Sequence, residues 1–431
     1  MLGFTTAQLF GLLPLVAGTI LMNGQEKVTS YPNTKFDLDA TSFTSYAANA
    51  SEISYQGRWD SKHVSWWSAP GLKFGFTGST VAISFGNWTS DGVLVGYRIG
   101  GMDWQFTNVT ASGTHLFVSK DTAGVSETWP YNPLTFELRV TNWAYGVQID
   151  QVHVAKGEKL VKVSPASRRL EVIGDSLASG MYTSYEGLSS WGYALGAGLG
   201  DTEYSITAYP GICAADQDCW GNPRGQMHQW FYTSDTSYRA SVMYGDKPEP
   251  WNFCKHPAAD IVVINIGTND QNTANNVSTA SYIDALTKLI EGVHGKWPRA
   301  QVVVMSLWLG FYQAGNSYFP SASQGFEKEI YAMVEYFNSD AYLTAPVVWD
   351  GTKNKTTVLS TRADPFVHYF NTTGILQHND IGPQWHPTDV GAIKVASHLI
   401  QYIRLTFGWE LRATGPEVLH DTLYWNDEQN Y

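Results

Sequence analysis

The chain has 431 residues, of which 43% are hydrophobic and 15% are charged, so its composition is that of a globular protein and not of a disordered one. Because 27 Lys and Arg face 39 Asp and Glu, the net charge is −12, which argues against a nucleic-acid-binding surface. At about 150 residues per domain, the length allows two or three domains with a sizeable core that needs no structural metal.

The start of the chain resembles a secretory leader. Residues 9–22 are apolar or small and uncharged, although no Lys or Arg precedes them, and the small residues at 16–18 offer a cleavage point. We expect a signal peptide over residues 1–18, extending to residue 24 if cleavage falls later. The run is shorter than the roughly 20 residues of a membrane span, so we expect a secreted extracellular protein without stable membrane insertion.

Glycosylation and disulfide signals agree with an extracellular protein. Asn-x-Ser/Thr sequences, the acceptor sites for N-glycans, occur at Asn49, Asn87, Asn108, Asn276, Asn354 and Asn371. The three cysteines, Cys213, Cys219 and Cys254, allow one intramolecular disulfide. We prefer Cys219–Cys254, which would close the insertion between them, with Cys213–Cys219 as the alternative. Their spacing matches no zinc site, so we expect no metal.

Residues 31–163 show period-two alternation of apolar side chains. Leu72 to Phe76 and Val81 to Phe85 alternate on either side of a turn at 77–80, which predicts a β-hairpin. Further alternating segments follow as far as Val154. Short strands, glycine-rich turns and the lack of a long helical pattern predict an antiparallel β-sandwich of jelly-roll type.

From residue 168 to residue 405, strand-like runs alternate with amphipathic helices. Ile261 to Ile266 is almost continuously apolar, as expected for a parallel strand that helices cover on both faces. Residues 279–293, 326–337 and 387–403 read as helices, and 301–307 and 347–349 as strands. The fold class expected is therefore α/β, with a three-layer domain built on a parallel sheet after the sandwich. The tail, 409–431, is polar and aromatic and carries no prediction.

The strongest catalytic signal lies at the end of the first strand of this second domain. Residues 171–177 read EVIGDSL, so Ser176 follows a buried strand directly. Ligands of α/β sheets bind at the carboxyl ends of the strands. There the hydroxyl of Ser176 would be available as a nucleophile, and its own backbone N–H would face a developing oxyanion.

Three other segments complete the candidate site. Gly211 and Asn269 each follow a later strand, and His386 precedes the last helix, so all of them can meet Ser176 at one edge of the sheet. Gly211 has no side chain to prevent close approach of its N–H, and Asn269 offers a side-chain amide. With the N–H of Ser176 these make three oxyanion donors, while His386 would take the proton of Ser176 and return it to the leaving alcohol.

In these four residues the sequence resembles the SGNH (GDSL) hydrolases, whose motif blocks carry Ser, Gly, Asn and His in this order. The resemblance covers roughly residues 168–405. A sandwich before the hydrolase domain, with Gly57-Arg58-Trp59 early in it, resembles carbohydrate esterase family 2, whose members remove acetyl groups from xylan and related polysaccharides. The resemblance also implies that Trp385, directly before His386, lines a sugar-binding cleft.

One position departs from the superfamily pattern. The superfamily carries Asp three residues before the histidine, whereas this chain has Pro383. A catalytic imidazole needs a group that orients it. Some members of carbohydrate esterase family 2 use a backbone carbonyl, which would here lie near Pro383 or Gln384. The alternative is a carboxylate, Asp380. We prefer the Ser–His dyad.

The expectation is a secreted, monomeric serine esterase without cofactors, which removes acetyl groups from plant cell-wall polysaccharide through an acyl-enzyme. An esterase or lipase for other small acyl groups is the closest alternative. A non-catalytic polysaccharide-binding protein is the alternative from another class, since Pro383 leaves the histidine without its usual acid.

Overall fold

The computed structural model describes residues 30–122, 125, 133–321, 325–352, 355–382 and 385–412, and the backbone of two short strands before them. Residues Met1–Tyr31 and Pro32–Tyr431 form separate compact units. The expected signal peptide at 1–18 and residues 413–431 of the tail lie outside the described residues. In the described part, no helix combines the length and the hydrophobicity that crossing a membrane requires.

The strands are numbered β1–β21 and the α-helices α1–α8 in chain order. The strands are Leu21–Met22, Gln25–Glu26, Phe43–Ala47, Ser54–Trp59, Ser65–Phe76, Val81–Phe85, Val93–Ile99, Gln105–Val109, Thr114–Val118, Leu134–Val140, Ile149–Ala155, Leu160–Val161, Arg168–Gly174, Thr202–Ala208, Ile261–Asn265, Gln301–Met305, Phe311–Ala314, Ser317–Pro320, Val347–Trp349, Thr356–Val358 and Val367–Phe370. The helices are Ser176–Ser179, Trp191–Leu199, Gln226–Gln229, Tyr238–Tyr244, Thr279–Lys296, Glu327–Phe337, Asp340–Thr344 and Asp389–Phe407.

The first half of the larger unit is an antiparallel sandwich. One sheet has the order β3-β11-β6-β9, and the facing layer contains β4, β5, β7, β8, β10 and β12. The apolar side chains of both sheets meet in one core, in which Phe74, Ile83 and Phe136 are fully buried. The sandwich thus confirms the predicted antiparallel domain.

The predicted hairpin between β5 and β6 is wrong. β5 pairs with β4, β10, β12 and β14, whereas β6 pairs with β9 and β11 in the opposite sheet. The turn at residues 77–80 therefore crosses from one sheet to the other. The alternation of apolar residues correctly predicts which side chains are buried, because Phe74 and Ile83 both point into the sandwich core. Alternation identifies the buried face of each strand but not its partner.

The second half is the predicted three-layer α/β arrangement. Five parallel strands have the order β21-β16-β15-β13-β14. Along β15, Val262 and Ile264 pack toward α5, while Ile261 and Val263 pack toward α2 and α8. Burial on both faces explains why this strand is apolar from Ile261 to Ile264. The fifth strand, β21, was not predicted, and the predicted strand β19 pairs with β20 outside this sheet.

A single sheet of 11 strands joins the sandwich to the parallel strands. The junction is β5, which pairs antiparallel to β14 through Ser68 and Ile206. Next to this contact the backbone of β5 has positive φ at Trp67 (67°) and Ala69 (50°). The two predicted domains, 31–163 and 168–405, therefore share one sheet within one compact unit.

A buried ion pair crosses the same junction. In β4 an extra residue, Gly57 with φ of 74°, forms a bulge, and Arg58 after it is 1% exposed. Its guanidinium lies 3.2 Å from Glu171 of β13 and also donates to the backbone carbonyls of Trp230 and Tyr232. Burial lowers the pKa of Arg58 to about 10, against the opposing effect of Glu171. The pair therefore connects the sandwich to the strand that leads to Ser176.

We expect Arg58→Met to lower the free energy of unfolding by about 3–5 kcal/mol, because it leaves Glu171 buried without its cation. The matched control is Arg362→Met, whose partner Asp340 and whose own side chain are both exposed, and it should cost no more than about 1 kcal/mol. Urea unfolding of both variants provides the measurement. Equal losses in the two variants would show that the buried pair does not stabilise the junction.

Candidate active site

Ser176 and His386 meet at the carboxyl edge of the parallel sheet. Ser176 is the first residue of α1, directly after β13, and Asp175 caps this helix by accepting from the backbone N–H of Leu177 at 3.0 Å. The Nε2 atom of His386 lies 2.7 Å from the Oγ atom of Ser176. The two residues are 210 positions apart in the sequence. This geometry lets the imidazole accept the serine proton.

The segment that carries His386 is braced at its base by Asp380. The backbone carbonyl of Asp380 accepts from the N–H of Thr388 at 2.8 Å, and the N–H of Gly382 donates to the carbonyl of His386 at 2.6 Å. The side chain of Thr388 in turn caps the long helix α8 by accepting from the N–H of Gly391. The ring of Tyr182 meets the imidazole edge-on, with 5.0 Å between centroids.

The carboxylate of Asp380 pairs with Lys394. Its two oxygens lie 2.7 and 2.8 Å from Nζ of Lys394, and one of them accepts from the N–H of Gln377. Burial raises the pKa of Asp380, but the hydrogen bonds from Lys394 and Gln377 outweigh this and hold the pKa below its usual range. Asp380 is thus an ion-pair partner of Lys394, and its role as the acid that orients His386 stays a prediction. Pro383 and Gln384, whose carbonyls are the preferred orienters, lie outside the described residues.

Gly211 follows β14 in a loop that requires glycine. Its φ is 79°, and a Cβ atom there would lie 3.0 Å from the side chain of Asn222 and 3.1 Å from that of Trp220. Asn222 donates its amide to the carbonyl of Pro210 at 3.0 Å and so holds the residue before Gly211. Sequence reasoning missed Asn222, because a single polar residue within an insertion carries no recognisable pattern.

Asn269 and Asp270 connect the end of β15 to the same loop. The Nδ2 atom of Asn269 donates one of its two hydrogens to the carbonyl of Ile212 at 2.9 Å. The buried carboxylate of Asp270 accepts from the N–H groups of Ala214 and Ala215 at 2.8 and 3.0 Å, and burial raises its pKa. Asp270 was not predicted, although its position directly after Asn269 was a usable signal.

A cavity of about 680 Å³ opens over these groups. Gly211 and Asn269 line it together with three tryptophans, Trp220, Trp308 and Trp385. Trp385 is 62% exposed and Trp220 is 57% exposed. Leu177 and Trp385, the chain neighbours of Ser176 and His386, line the same cavity, so the paired Ser176 and His386 lie beside it.

Another cavity, of about 520 Å³, lies at the junction of the sandwich and the parallel sheet. It is lined by an ion-pair network around Glu137, which Arg98 and Arg139 contact, and by Tyr204. None of the predicted site residues lines it, so we place the active site in the cavity of Trp385. No group of three or more His, Cys, Asp or Glu in the described part of the chain has a metal-binding arrangement.

The disulfide joins Cys213 to Cys219, and Cys254 is an exposed free thiol. The preferred pairing of Cys219 with Cys254 is therefore wrong. The chain reverses within this segment, where the N–H groups of Cys219 and Asn222 donate to each other's carbonyl, and the turn brings the buried Cys219 back to the buried Cys213. The bridge closes the segment between the Gly211 loop and Trp220.

We expect Cys213→Ala/Cys219→Ala to lower the free energy of unfolding by about 2 kcal/mol, the chain-entropy value for so short a loop. Hydrogen exchange over residues 210–222 should also accelerate, because the loop loses its closure. Chemical denaturation and exchange mass spectrometry are the measurements. Cys254→Ala should change neither quantity; a comparable loss in that variant would favour the Cys219–Cys254 pairing instead.

Asp175, next to Ser176, is a fully buried carboxyl. Burial raises its pKa from 3.8 to about 7, and neighbouring Asp270 acts in the same direction, although the N–H of Leu177 opposes both. The folded protein therefore binds this proton more tightly than the unfolded chain does. The proton on Asp175 therefore adds to the free energy of unfolding. This contribution is complete below pH 4 and is lost as the pH rises to about 7.

We expect Asp175→Asn, which keeps the capping oxygen, to reduce the loss of unfolding free energy that accompanies the rise in pH. At about 1.4 kcal/mol per pKa unit, the fall in unfolding free energy between pH 4 and pH 8 should shrink by at most about 4 kcal/mol. Urea titrations across this range test the prediction, with the exposed Asp91→Asn as control. An unchanged pH dependence in Asp175→Asn would contradict a buried, protonated carboxyl.

Comparison with known proteins agrees with this site. Residues 172–392, more than half of the chain, match the GDSL-like lipase/acylhydrolase family. This segment contains Ser176, Gly211, Asn269 and His386. No curated protein matches the sequence.

Solved structures share the fold across both halves of the larger unit. A family two carbohydrate esterase from Cellvibrio japonicus superposes with a TM-score of 0.63 at 14% identity, covering 85% of this chain and 99% of that one. A family two carbohydrate esterase from Clostridium thermocellum, in complex with cellohexaose, gives 0.61 at 18% identity, covering 83% and 100%. An acetyl xylan esterase from Butyrivibrio proteoclasticus gives 0.59 at 16% identity, covering 85% and 100%.

These structures establish the likeness of fold, a sandwich joined to a parallel α/β sheet. The four motif residues lie inside the matched segment, in the order that the resemblance implied. The chain therefore belongs to the GDSL-like lipase/acylhydrolase family.

Proposed function

We propose that this protein is a serine esterase that hydrolyses O-acetyl esters on plant cell-wall polysaccharide, acetylxylan or a related hemicellulose. The observation that carries the proposal is the 2.7 Å contact between Ser176 Oγ and His386 Nε2 beneath a cavity with two exposed tryptophans at its wall. The contact supplies the acyl-transfer chemistry, and the tryptophans supply flat apolar surfaces on which a sugar ring can stack.

The reaction follows from these positions. Ser176 Oγ attacks the acetyl carbonyl while His386 Nε2 takes its proton, and a tetrahedral oxyanion forms. The N–H groups of Ser176 and Gly211 and the amide of Asn269 stabilise that oxygen; losing one such donor typically costs about 3–4 kcal/mol in the transition state. The intermediate then collapses to the acetyl-serine, and the imidazolium gives its proton to the departing sugar oxygen, which leaves as a hydroxyl. Water, deprotonated by the same imidazole, attacks the acetyl-serine and releases acetate. The reaction uses no cofactor.

The shape and composition of the cavity support a carbohydrate substrate. Its aromatic wall is exposed to solvent even though large apolar side chains are normally buried, and Trp385 holds this position at a φ of 67°. Two of the structural relatives are described as a complex with cellohexaose and as an acetyl xylan esterase. A lipase would instead need a long apolar trench for an acyl chain.

We also propose that the protein is secreted and N-glycosylated. The apolar run at residues 9–22 supports export. The side chains of Asn49, Asn87, Asn108, Asn276 and Asn371 are exposed, as glycan attachment requires; Asn354 lies outside the described residues. Two buried cysteines joined in a disulfide also suit an oxidising compartment.

Acetate release from acetylated xylan tests the proposed activity. We expect Ser176→Ala and His386→Ala each to lower kcat by at least about 10³-fold, because the nucleophile and its base act as a unit. The exposed Ser241→Ala and His398→Ala are matched controls and should retain wild-type rates. Retained acetate release by Ser176→Ala would refute the mechanism. Wild-type hydrolysis of long-chain esters without acetate release from any polysaccharide would instead assign a lipase.

A further inference from the structure

A β-hairpin extends from the wall of the active-site cavity. Its strands, β17 and β18, pair so that Phe311 lies opposite Pro320 and Tyr312 opposite Phe319. The N–H of Ser321 donates to the carbonyl of Gly310 and closes the base of the hairpin. Because Gly310 lies against the ring of Trp385, the hairpin begins at the cavity that we assign to the reaction.

The two faces of this hairpin differ in their surroundings. Since directly paired residues share a face, Phe311 and Tyr318 lie on one side, and Tyr312 and Phe319 on the other. The first side encloses a cavity of about 220 Å³ against residues 372–378. The second side does not line that cavity; its Tyr312 and Phe319 rings stack on each other at 5.7 Å.

The 220 Å³ cavity adjoins the active-site cavity. Trp308 and Leu309 line both of them, so a molecule that passes along these residues would reach from one to the other. At this volume the cavity is smaller than the roughly 300–1,000 Å³ of drug-sized sites, which leaves room for about one ring.

The walls of this cavity are flat aromatic rings held in place by one another. Tyr318 stacks on His378 with centroids 4.2 Å apart and planes 7° apart, and Phe311 meets the same imidazole edge-on. Tyr318 nevertheless remains 49% exposed. The exposed Gln377 adds polar hydrogen-bonding capacity, and no Asp, Glu, Lys or Arg is among the described lining residues. Aromatic rings with a few polar groups and no charge favour a neutral ligand that has both apolar faces and hydroxyls.

We propose that this cavity is a second carbohydrate subsite, which binds a neutral pyranose ring of the glycan next to the acetylated residue. The proposal rests on the proposed function and makes it more specific: the enzyme would prefer acetylated oligosaccharides and polymers to small acetyl esters. Binding energy from a remote part of the substrate benefits only substrates long enough to reach it.

The test compares the two faces of the same hairpin. Phe311→Ala/Tyr318→Ala removes the cavity wall, and Tyr312→Ala/Phe319→Ala, the matched control, removes two rings of the same hairpin outside the cavity. We expect the first pair to lower kcat/KM for acetylated xylo-oligosaccharide about tenfold, mainly through KM, since each lost ring contact is of modest strength. The control pair should stay within about twofold of wild type. For an aryl acetate both pairs should match wild type, which shows that the nearby His386 is undisturbed.

A binding measurement separates this inference from the catalytic one. In the Ser176→Ala background, calorimetry with deacetylated xylo-oligosaccharide should show about tenfold weaker binding for Phe311→Ala/Tyr318→Ala and near-normal binding when Tyr318→Phe replaces the double change. Asn371→Gln is included throughout, so that no glycan next to Thr372 of the cavity interferes.

Three results would overturn the subsite: equal KM values for the two hairpin variants on oligosaccharide, equal losses on oligosaccharide and aryl acetate, or a loss confined to long-chain acyl esters, which would identify an acyl pocket. Failure of the proposed function has a different signature, because wild-type protein would then release no acetate from any acetylated carbohydrate.

Discussion

The buried pair between Arg58 and Glu171 is the interaction on which the architecture depends. Glu171 also accepts hydrogen bonds from Thr207 of β14 and from the indole of Trp230, so one carboxylate joins the sandwich, two parallel strands and the insertion after Gly211. A buried charge is costly unless it is fully paired, and here each partner makes several polar contacts. Because β13 ends at the residue before Asp175, the same strand that the sandwich holds in place also presents Ser176.

Around Ser176, the structure holds loops in place through side chains other than those of the four motif residues. Asp270 holds the N–H groups after Gly211, Asn222 holds the carbonyl before it, and Lys394 pairs with Asp380 at the base of the His386 segment. Acyl transfer needs its groups within about an ångström of their productive positions. The direction of a backbone N–H donor depends on the backbone conformation and not on a side-chain rotamer. Buried acceptors and a disulfide that hold the loop therefore also position its backbone donors.

Solvent-exposed aromatic rings mark the surface beside the site. Trp220 and Trp385 flank the reaction cavity, and Tyr318 and Phe311 enclose the smaller one beyond Trp308. Each square ångström of apolar ring surface that stays in contact with water loses roughly 25 cal/mol of the free energy that burial would provide. A ligand with apolar faces recovers part of that energy on binding, and Trp308 lines both of the adjoining cavities.

The sequence by itself determined where the four motif residues stand relative to the strands and the last helix, the α/β alternation and the buried face of most strands. These features are local: a strand's apolar period, and a Ser, Gly, Asn or His at a strand end or helix start, follow from a few neighbouring residues. Only the tertiary structure decided that β5 and β6 lie in different sheets, that β5 joins both halves in one sheet, that Cys213 bonds Cys219, and that Asp380 serves Lys394. Each of these is a choice among several possible partners, and period and spacing leave that choice open because it depends on how the whole chain packs.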